Sequence, residues 1–453
     1  MATDLQGLGL GLASRFAANP LVQKYKLAKP AEKIVYISTK KGFELAQKLM
    51  AKKALKETQS KGDLKALPAP PPLFDLSLSD EQQMIRDSVQ SYAEHHIRPV
   101  AQRADEDAKL PESLLANAQE LGLNYFAIPE TLGGAGQLSP MTNALVAEDL
   151  AWGDFSLAYA ILASSSVVNT LSRWGNTTQQ ERWLPQFCAD MTTNESAESN
   201  TVFSAAIAVQ EPHPLFDARH LATTAKKNKK GYVISGIKSF IPLAGSANCY
   251  LVAAEVKNKK LKGTNQLFIV PANSKGLNFK SSPAMGLRAA EIGRLKLDKV
   301  QVDNNALLGI GNPASRTFDY QTFIDSGNLA WCAMAIGCCQ AALDYLIPYV
   351  NERYAFGEPI SHRQSVAFML ADMKIEIESM RLLVWKAASR FERGEEFHRD
   401  AFLAHQLCID KSMEIGTNAV QLLGGHGFTK EHPAERWYRD LRILGVINGG
   451  LQL

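Results

Sequence analysis

Two segments of this 453-residue chain carry residue types suited to an anionic ligand with an apolar face. In R-Y-A-F-G-E-P-I, Arg353 to Ile360, a cation, an aromatic ring and a Gly-Pro break follow one another. A guanidinium there can pair bidentately with a phosphate or pyrophosphate while Phe356 covers an apolar cofactor face. In Q-L-L-G-G-H-G-F, Gln421 to Phe428, glycines 424, 425 and 427 permit close backbone approach and present N–H donors to an anion. Taken alone, each segment also reads as the end of a helix.

Other chemistries lose their fingerprints. The chain has no G-x-x-x-x-G-K-[ST], no G-x-G-x-x-G in a strand-to-helix setting, no H-E-x-x-H and no G-x-S-x-G, which argues against nucleotide hydrolysis, NAD, zinc hydrolysis and serine hydrolase chemistry. Six cysteines are scattered without C-x-x-C spacing, so reduced core thiols are expected rather than a metal site or a disulfide framework. Residues 1–66 hold 13 Lys+Arg against 5 Asp+Glu, leaving 36 against 41 for the remainder. The Lys226–Lys230 and Lys257–Lys262 clusters lack interleaved aromatics and read as solvated hairpin loops, not a nucleic-acid surface. No run of about 20 apolar residues suited to crossing a bilayer is apparent, nor is a secretory signal. A cytoplasmic protein is expected, with peripheral membrane contact open.

The elements that must position these residues follow from periodicity. The basic arm, residues 1–75, has a helical stripe of Phe43, Ala46, Leu49, Met50 and Ala54 and closes in the Pro68–Pro72 linker. The stripe suits a membrane surface, a partner groove, or packing on its own or a neighbouring subunit. Ser79 and Gln82 make a capping box for a helix through about Ala101, Pro111 marks the start of a second, and 139–153 and 155–174 continue in helical period. After the polar stretch Thr192–Asn200 come strand-like runs: Val202–Val209, Tyr232–Phe240, Cys249–Val256, Gln266–Val270 and Arg294–Val302. Long helices return at about 316–351, 362–392 and 399–423. The reading is α+β, mainly α, with a helical domain at 76–198, a small β-barrel at 199–312 and a helical bundle at 313–453.

Together with S-H-R-Q-S-V-A-F-M-L-A-D-M at Ser361–Met373, R-W-Y-R-D-L-R-I at Arg436–Ile443, G-L-R-A-A-E-I-G-R-L-K-L-D-K-V-Q-V at Gly286–Val302, Q-E-P at Gln210–Pro212 and L-S-D-E-Q-Q at Leu78–Gln83, the two opening motifs resemble the acyl-CoA dehydrogenases. The resemblance covers about residues 76–453. It implies a helical N-terminal domain, a central β-barrel, a C-terminal four-helix bundle and a homo-oligomer. It implies FAD, with Arg353, Phe356, Gln421, Gly424 and Gly425 at the pyrophosphate and Phe240 and Gln210 on the barrel side. It also implies an acyl-CoA thioester as substrate and an electron-accepting flavoprotein or other acceptor as partner.

The same comparison exposes departures. Such an enzyme needs a carboxylate to take the α-proton while hydride passes to the flavin, yet Asn448 stands at the usual glutamate position and an amide cannot accept that proton. The second family location carries Gly327, followed by Asn328 where an arginine is common. Asp325 falls on the aspartate that contacts pantetheine; it is the substrate-binding candidate, with helix capping or service as base as alternatives. The loop Glu211–Asp217 carries Leu215 and Phe216 in place of Gly and Ser, with His213 and His220 nearby, and Phe240–Leu243 keeps a ring but loses a threonine hydroxyl. Most relatives continue past the position of Leu453 into one further helix. The leading expectation is α,β-desaturation of an acyl-CoA. A flavin monooxygenase and a non-catalytic acyl-CoA- or FAD-binding scaffold are the alternatives.

Overall fold

Ser79 Oγ accepts a hydrogen bond from the Gln82 N–H while Gln82 Oε1 accepts one from the Ser79 N–H, and this reciprocal cap starts helix α1, Asp80–Tyr92. A π-turn, Ala93–Ile97, joins it without a break to α2, Arg98–Asp107, so the helix expected to stop near Ala101 runs one and a half turns further. Helix α3 spans Leu114–Glu120, and α4, Pro140–Gly153, is capped by Ser139. Helix α5, Phe155–Trp174, is capped by Asp154, and α6, Thr177–Trp183, by a second reciprocal pair, Asn176 and Gln179. The computed structural model describes residues 77–188, 202–257, 264–309 and 318–453. The arm, its Phe43–Ala54 stripe, the proline linker and the 192–200 stretch lie outside the described residues.

The middle third forms one seven-stranded curled sheet in the order β1-β4-β2-β3-β7-β6, with β5 paired to β4. Its strands are β1 Ala205–Ala208, β2 Thr224–Asn228, β3 Gly231–Ile241, β4 Cys249–Lys257, β5 Thr264–Pro271, β6 Leu277–Ser281 and β7 Gly293–Val302. Strands β1 and β2 run parallel to β4, and the remaining pairings are antiparallel. Lys226 and Lys227, read from sequence as loop, lie in β2, pairing with Val233 and Tyr232. Their exposed side chains hide the strand from any hydrophobic pattern, while its backbone is held on both sides. Strand β6 was missed for the same reason, being largely exposed at the sheet's edge.

Inside this sheet, Lys238 is fully buried and donates to the Val209 carbonyl and to Glu211 Oε1, each at 2.9 Å. Glu211, also buried, accepts two further bonds from the Ala222 and Thr223 backbone N–H groups. Burial pushes the Lys238 ammonium down to about 8 against the attraction of Glu211. For Glu211, burial acts upward, but Lys238 and the backbone donors outweigh it and hold the carboxyl below its usual range. The pair fixes the start of the loop that carries His213, Leu215 and Phe216.

The last third contains α7, Tyr320–Glu352, α8, Gln364–Glu392, α9, His398–Leu423, and a short α10, Ala434–Leu441. Helices α5 and α7 are long and apolar enough to cross a membrane, with mean hydropathy 1.3 and 1.4, which corrects the expectation that no such run exists. In the fold, 94% and 78% of those windows are buried, because helices enclosed on all sides carry apolar residues all round. Helix α7 packs against α4, α8 and α9. Its approach to α4 depends on Gly337, where an added Cβ would lie 1.9 Å from the Glu148 carbonyl oxygen.

Helix α10 draws distant motifs together. Arg436 pairs with buried Asp154 at 3.0 Å, Arg439 with Asp105 at 2.7 Å, and Asp440 accepts the Leu287 N–H at 2.7 Å. Thus the R-D segment and the Gly286–Leu287 segment, about 150 residues apart, are in contact. A Cβ on Gly286 would meet the Arg439 carbonyl oxygen at 2.7 Å.

Two stability changes are expected. Gly337→Ala forces α4 and α7 apart and lowers stability by about 2–3 kcal/mol, read as a fall in the denaturant midpoint. Glu211→Gln leaves a buried ammonium unpaired and costs about 3–5 kcal/mol near pH 6.5. In the native chain Lys238 keeps its proton up to about 8, whereas in the variant the neutral amine must fold. The variant therefore gains on the native chain by up to ~1.4 kcal/mol per pH unit as pH rises toward 8, and no further above it. Thermal unfolding of both proteins at pH 6.5 and 8 checks the sign.

Candidate functional site

Helix α7 ends at Arg353, whose N–H bonds the Tyr349 carbonyl and whose own carbonyl accepts from Ile360. Between them the chain makes a two-residue hairpin, with Tyr354 opposite Pro359 and Ala355 opposite Glu358. Its tip residues, Phe356 (φ 55°) and Gly357 (φ 86°), are both left-handed, as a primed hairpin turn requires. A phenylalanine in that conformation is strained, and its ring is 95% exposed. The Arg363 guanidinium lies 5.6 Å from the ring centroid.

Beside this hairpin a cleft of about 600 Å³ is lined by Arg353, Gln421, Gly424, Gly425, His426 and Thr429, among others. Gly424 closes α9 at φ 60°, ψ −133°, a conformation that strongly favours glycine. Neither Gly424 nor Gly425 has any atom within 4 Å of the position where a Cβ would stand, so no protein group requires their smallness. Open glycines beside an exposed guanidinium suit a ligand whose phosphates approach the backbone, as FAD pyrophosphate does. The cleft therefore unites Arg353, Gln421, Gly424 and Gly425 from segments about 70 residues apart. Sequence reading had not singled out His426, Thr429, Glu431 or Tyr349 for it, because a polar side chain on a helix end or loop carries no periodic signal.

Phe240 and Gln210 do not line that cleft. Phe240 sits near the end of β3 at φ 52°, and its carbonyl accepts the Tyr159 hydroxyl at 2.8 Å. Gln210 is buried, and its amide is spent within the chain: Nε2 donates to the Val446 carbonyl at 3.0 Å and Oε1 faces the Asn448 N–H at 3.4 Å. The sheet side of the site thus grips the segment 446–448.

The other side of that segment is gripped by α7. Asn328 Oδ1 accepts the Gly449 N–H at 2.9 Å, and Trp331 Nε1 donates to the Gly449 carbonyl at 2.7 Å. Gly327 faces it too, since a Cβ there would lie 2.7 Å from the Leu451 carbonyl oxygen and 2.9 Å from Gly449 Cα. From α5, Ser166 accepts the Gln452 N–H and Asn169 donates to the Gln452 carbonyl. Asn448, half-buried, stands between sheet and helix.

Asp325 is 9% exposed and committed: Gln321 Nε2 lies 2.9 Å from both carboxylate oxygens, and His398 Nδ1 lies 2.7 Å from Oδ2. The Asp325–His398 contact ties α7 to the first residue of α9, and no local sequence pattern links residues 73 apart. His213 and His220 are exposed on the 211–220 loop, the first 3.8 Å from Glu211 and the second 2.7 Å from Asp217. Among the described residues no cluster of metal-ligating side chains occurs.

Three successive family models match the chain: acyl-CoA dehydrogenase N-terminal domain at residues 79–190, middle domain at 206–300 and C-terminal domain at 320–452. The short-chain specific acyl-CoA dehydrogenase of Bos taurus mitochondria is 30% identical over 376 residues, 83% of this chain and 88% of that protein. Butyryl-CoA dehydrogenase from Megasphaera elsdenii superposes with a TM-score of 0.73 at 29% identity, covering 82% of this chain and 95% of that one. A solved structure described as the electron transferring flavoprotein of Acidaminococcus fermentans matches with the same TM-score at 28% identity, again over 82% and 95%. With its helical, sheet and helical regions each matched in order, the chain belongs to the acyl-CoA dehydrogenase family and is an FAD-dependent oxidoreductase of that kind.

Proposed function

We propose that the chain acts on an acyl-CoA thioester by α,β-desaturation, with Asn448 standing where the family places its catalytic glutamate. The observation that carries this reading is the double grip on residues 446–449, by Gln210 from the sheet and by Asn328 and Trp331 from α7. That grip presents residue 448 at the junction of the sheet and the bundle. Bound FAD would supply the hydride acceptor. Arg353 and the open backbone at Gly424 and Gly425 would hold its pyrophosphate, Gln421 and the Phe356 ring would border it, and Phe240 would flank it from the sheet.

Asn448 can donate to the thioester or the flavin through its amide but cannot take up the α-proton. Gly327 leaves no side chain at the family's second location, and Gly449 and Leu451 fill the space a larger residue would need. Asp325 already has both carboxylate oxygens engaged, by Gln321 and His398. It serves better as a fixed acceptor for an amide N–H of pantetheine. Proton removal is thus the slow part of turnover.

Phe240 lies on the sheet and the Arg353–Gly425 cleft elsewhere, an arrangement completed if each flavin is shared between two copies of the chain. Exposed Phe368, Ile375 and Leu382, seven residues apart along α8, and Phe402 on α9 supply apolar surface for such a homo-oligomer. The reaction requires an acceptor for the flavin's electrons, an electron-accepting flavoprotein or another oxidant.

Anaerobic mixing of the FAD-loaded protein with butyryl-CoA tests the reading by flavin bleaching. The native chain is expected to bleach slowly and Asn448→Glu at least about 100-fold faster, the usual contribution of a positioned base. A variant that folds and retains FAD but bleaches no faster overturns the assignment of residue 448. Arg353→Ala is expected to weaken FAD retention on gel filtration by about tenfold or more, as loss of a charge-assisted pair to phosphate does.

A further inference from the structure

Apart from the cleft at Gly424, a cavity of about 340 Å³ lies among α1, α4, α5, α7 and residues 451–453. Much of its lining is apolar, including Phe126, Val146, Leu162, Ala330 and Leu451. Ala330 lies one turn beyond Gly327 on α7, and Leu451 lies three residues beyond Asn448. On α5, Tyr159 donates its hydroxyl to the Phe240 carbonyl, while Leu162, Ser166 and Asn169 line the cavity. One helix thus leads from the flavin side of the site to the cavity over about 15 Å at 1.5 Å per residue.

The polar part of the lining carries no Lys, Arg or His. The only ionisable lining side chains are Glu81 and Glu392, both exposed; Glu392 accepts from the Ser139 hydroxyl at 2.6 Å and the Met141 N–H at 3.0 Å. A second anion is unwelcome there. On α4, Asn143 lines the cavity, and its amide nitrogen is buried without a hydrogen-bond partner. An unpaired buried amide costs about 1–3 kcal/mol. A neutral oxygen-bearing group satisfies it; an alkane end does not, and a carboxylate meets the two glutamates.

We propose that this cavity receives the far end of the acyl group and selects chains that end in a neutral hydroxyl or carbonyl, with Asn143 as the specificity-determining residue. The inference rests on the dehydrogenase reading above and deepens it by naming the substrate class.

Calorimetric titration of the full-length FAD-loaded chain compares octanoyl-CoA, 8-hydroxyoctanoyl-CoA and suberyl-CoA, which share one chain length and differ at the end. The hydroxylated ligand is expected to bind about tenfold tighter than octanoyl-CoA, the worth of one hydrogen bond, and suberyl-CoA weakest. Asn143→Leu should bring the hydroxylated and plain ligands level. Ala330→Leu, which narrows the cavity, should weaken all three. Equal affinity for the three ends, a preference that survives in Asn143→Leu, or octanoyl-CoA unaffected by Ala330→Leu overturns this proposal alone. Absence of binding by every acyl-CoA, butyryl-CoA included, overturns the dehydrogenase reading as well.

Discussion

The helices of the described fold are arranged around the 33-residue helix α7, most of whose middle turns are wholly buried. A helix enclosed this way can meet its neighbours closely only where it lacks side chains. Gly337 provides that on the α4 side and Gly327 on the side of residues 449–451. One helix thereby fixes the distance of the N-terminal helices and, three turns earlier, the path of the segment bearing Asn448. The hydrophobic burial is general, but these two backbone approaches are specific, because interiors at crystal-like density do not absorb an added methyl group without moving.

The site inherits both rigidity and its altered chemistry from this arrangement. Gln210 and Asn328 use side-chain amides to hold backbone groups of 446–449, so the segment is positioned by neutral hydrogen bonds rather than by charge. Asn328 makes one bond of 2.9 Å to the Gly449 N–H. With asparagine at both 328 and 448, neither position carries a side-chain charge. The nearby buried charges are already matched: Glu211 with Lys238, Asp154 with Arg436.

Much of this was legible in the sequence wherever a side-chain pattern reports on burial or capping. Ser79 with Gln82 gave the first helix start, and the three long helices fell within a few residues of their expected bounds. The glycine and arginine motifs, each local in sequence, line one cleft in the fold. What stayed hidden was structure held by backbone bonding or by long-range pairing. Strand β2, with two exposed lysines, and strand β6, with almost no buried residue, have no alternation to read. Gln210 was taken for a cofactor ligand, and only the fold reveals that residues 446 and 448 occupy its amide. The Asp325–His398 contact likewise joins helices whose pairing no short motif encodes.

The hairpin at Phe356 has a thermodynamic consequence of its own. Holding a phenylalanine at positive φ costs of order 1–3 kcal/mol, and the chain meets that cost during folding, when the Tyr354–Pro359 and Ala355–Glu358 pairings close the turn. The backbone beneath the solvent-facing ring is then set before any ligand arrives. Association at this surface therefore forfeits little backbone entropy, and the strain is borne by the stability of α7 and the helices around it, not by the affinity of whatever settles on the ring.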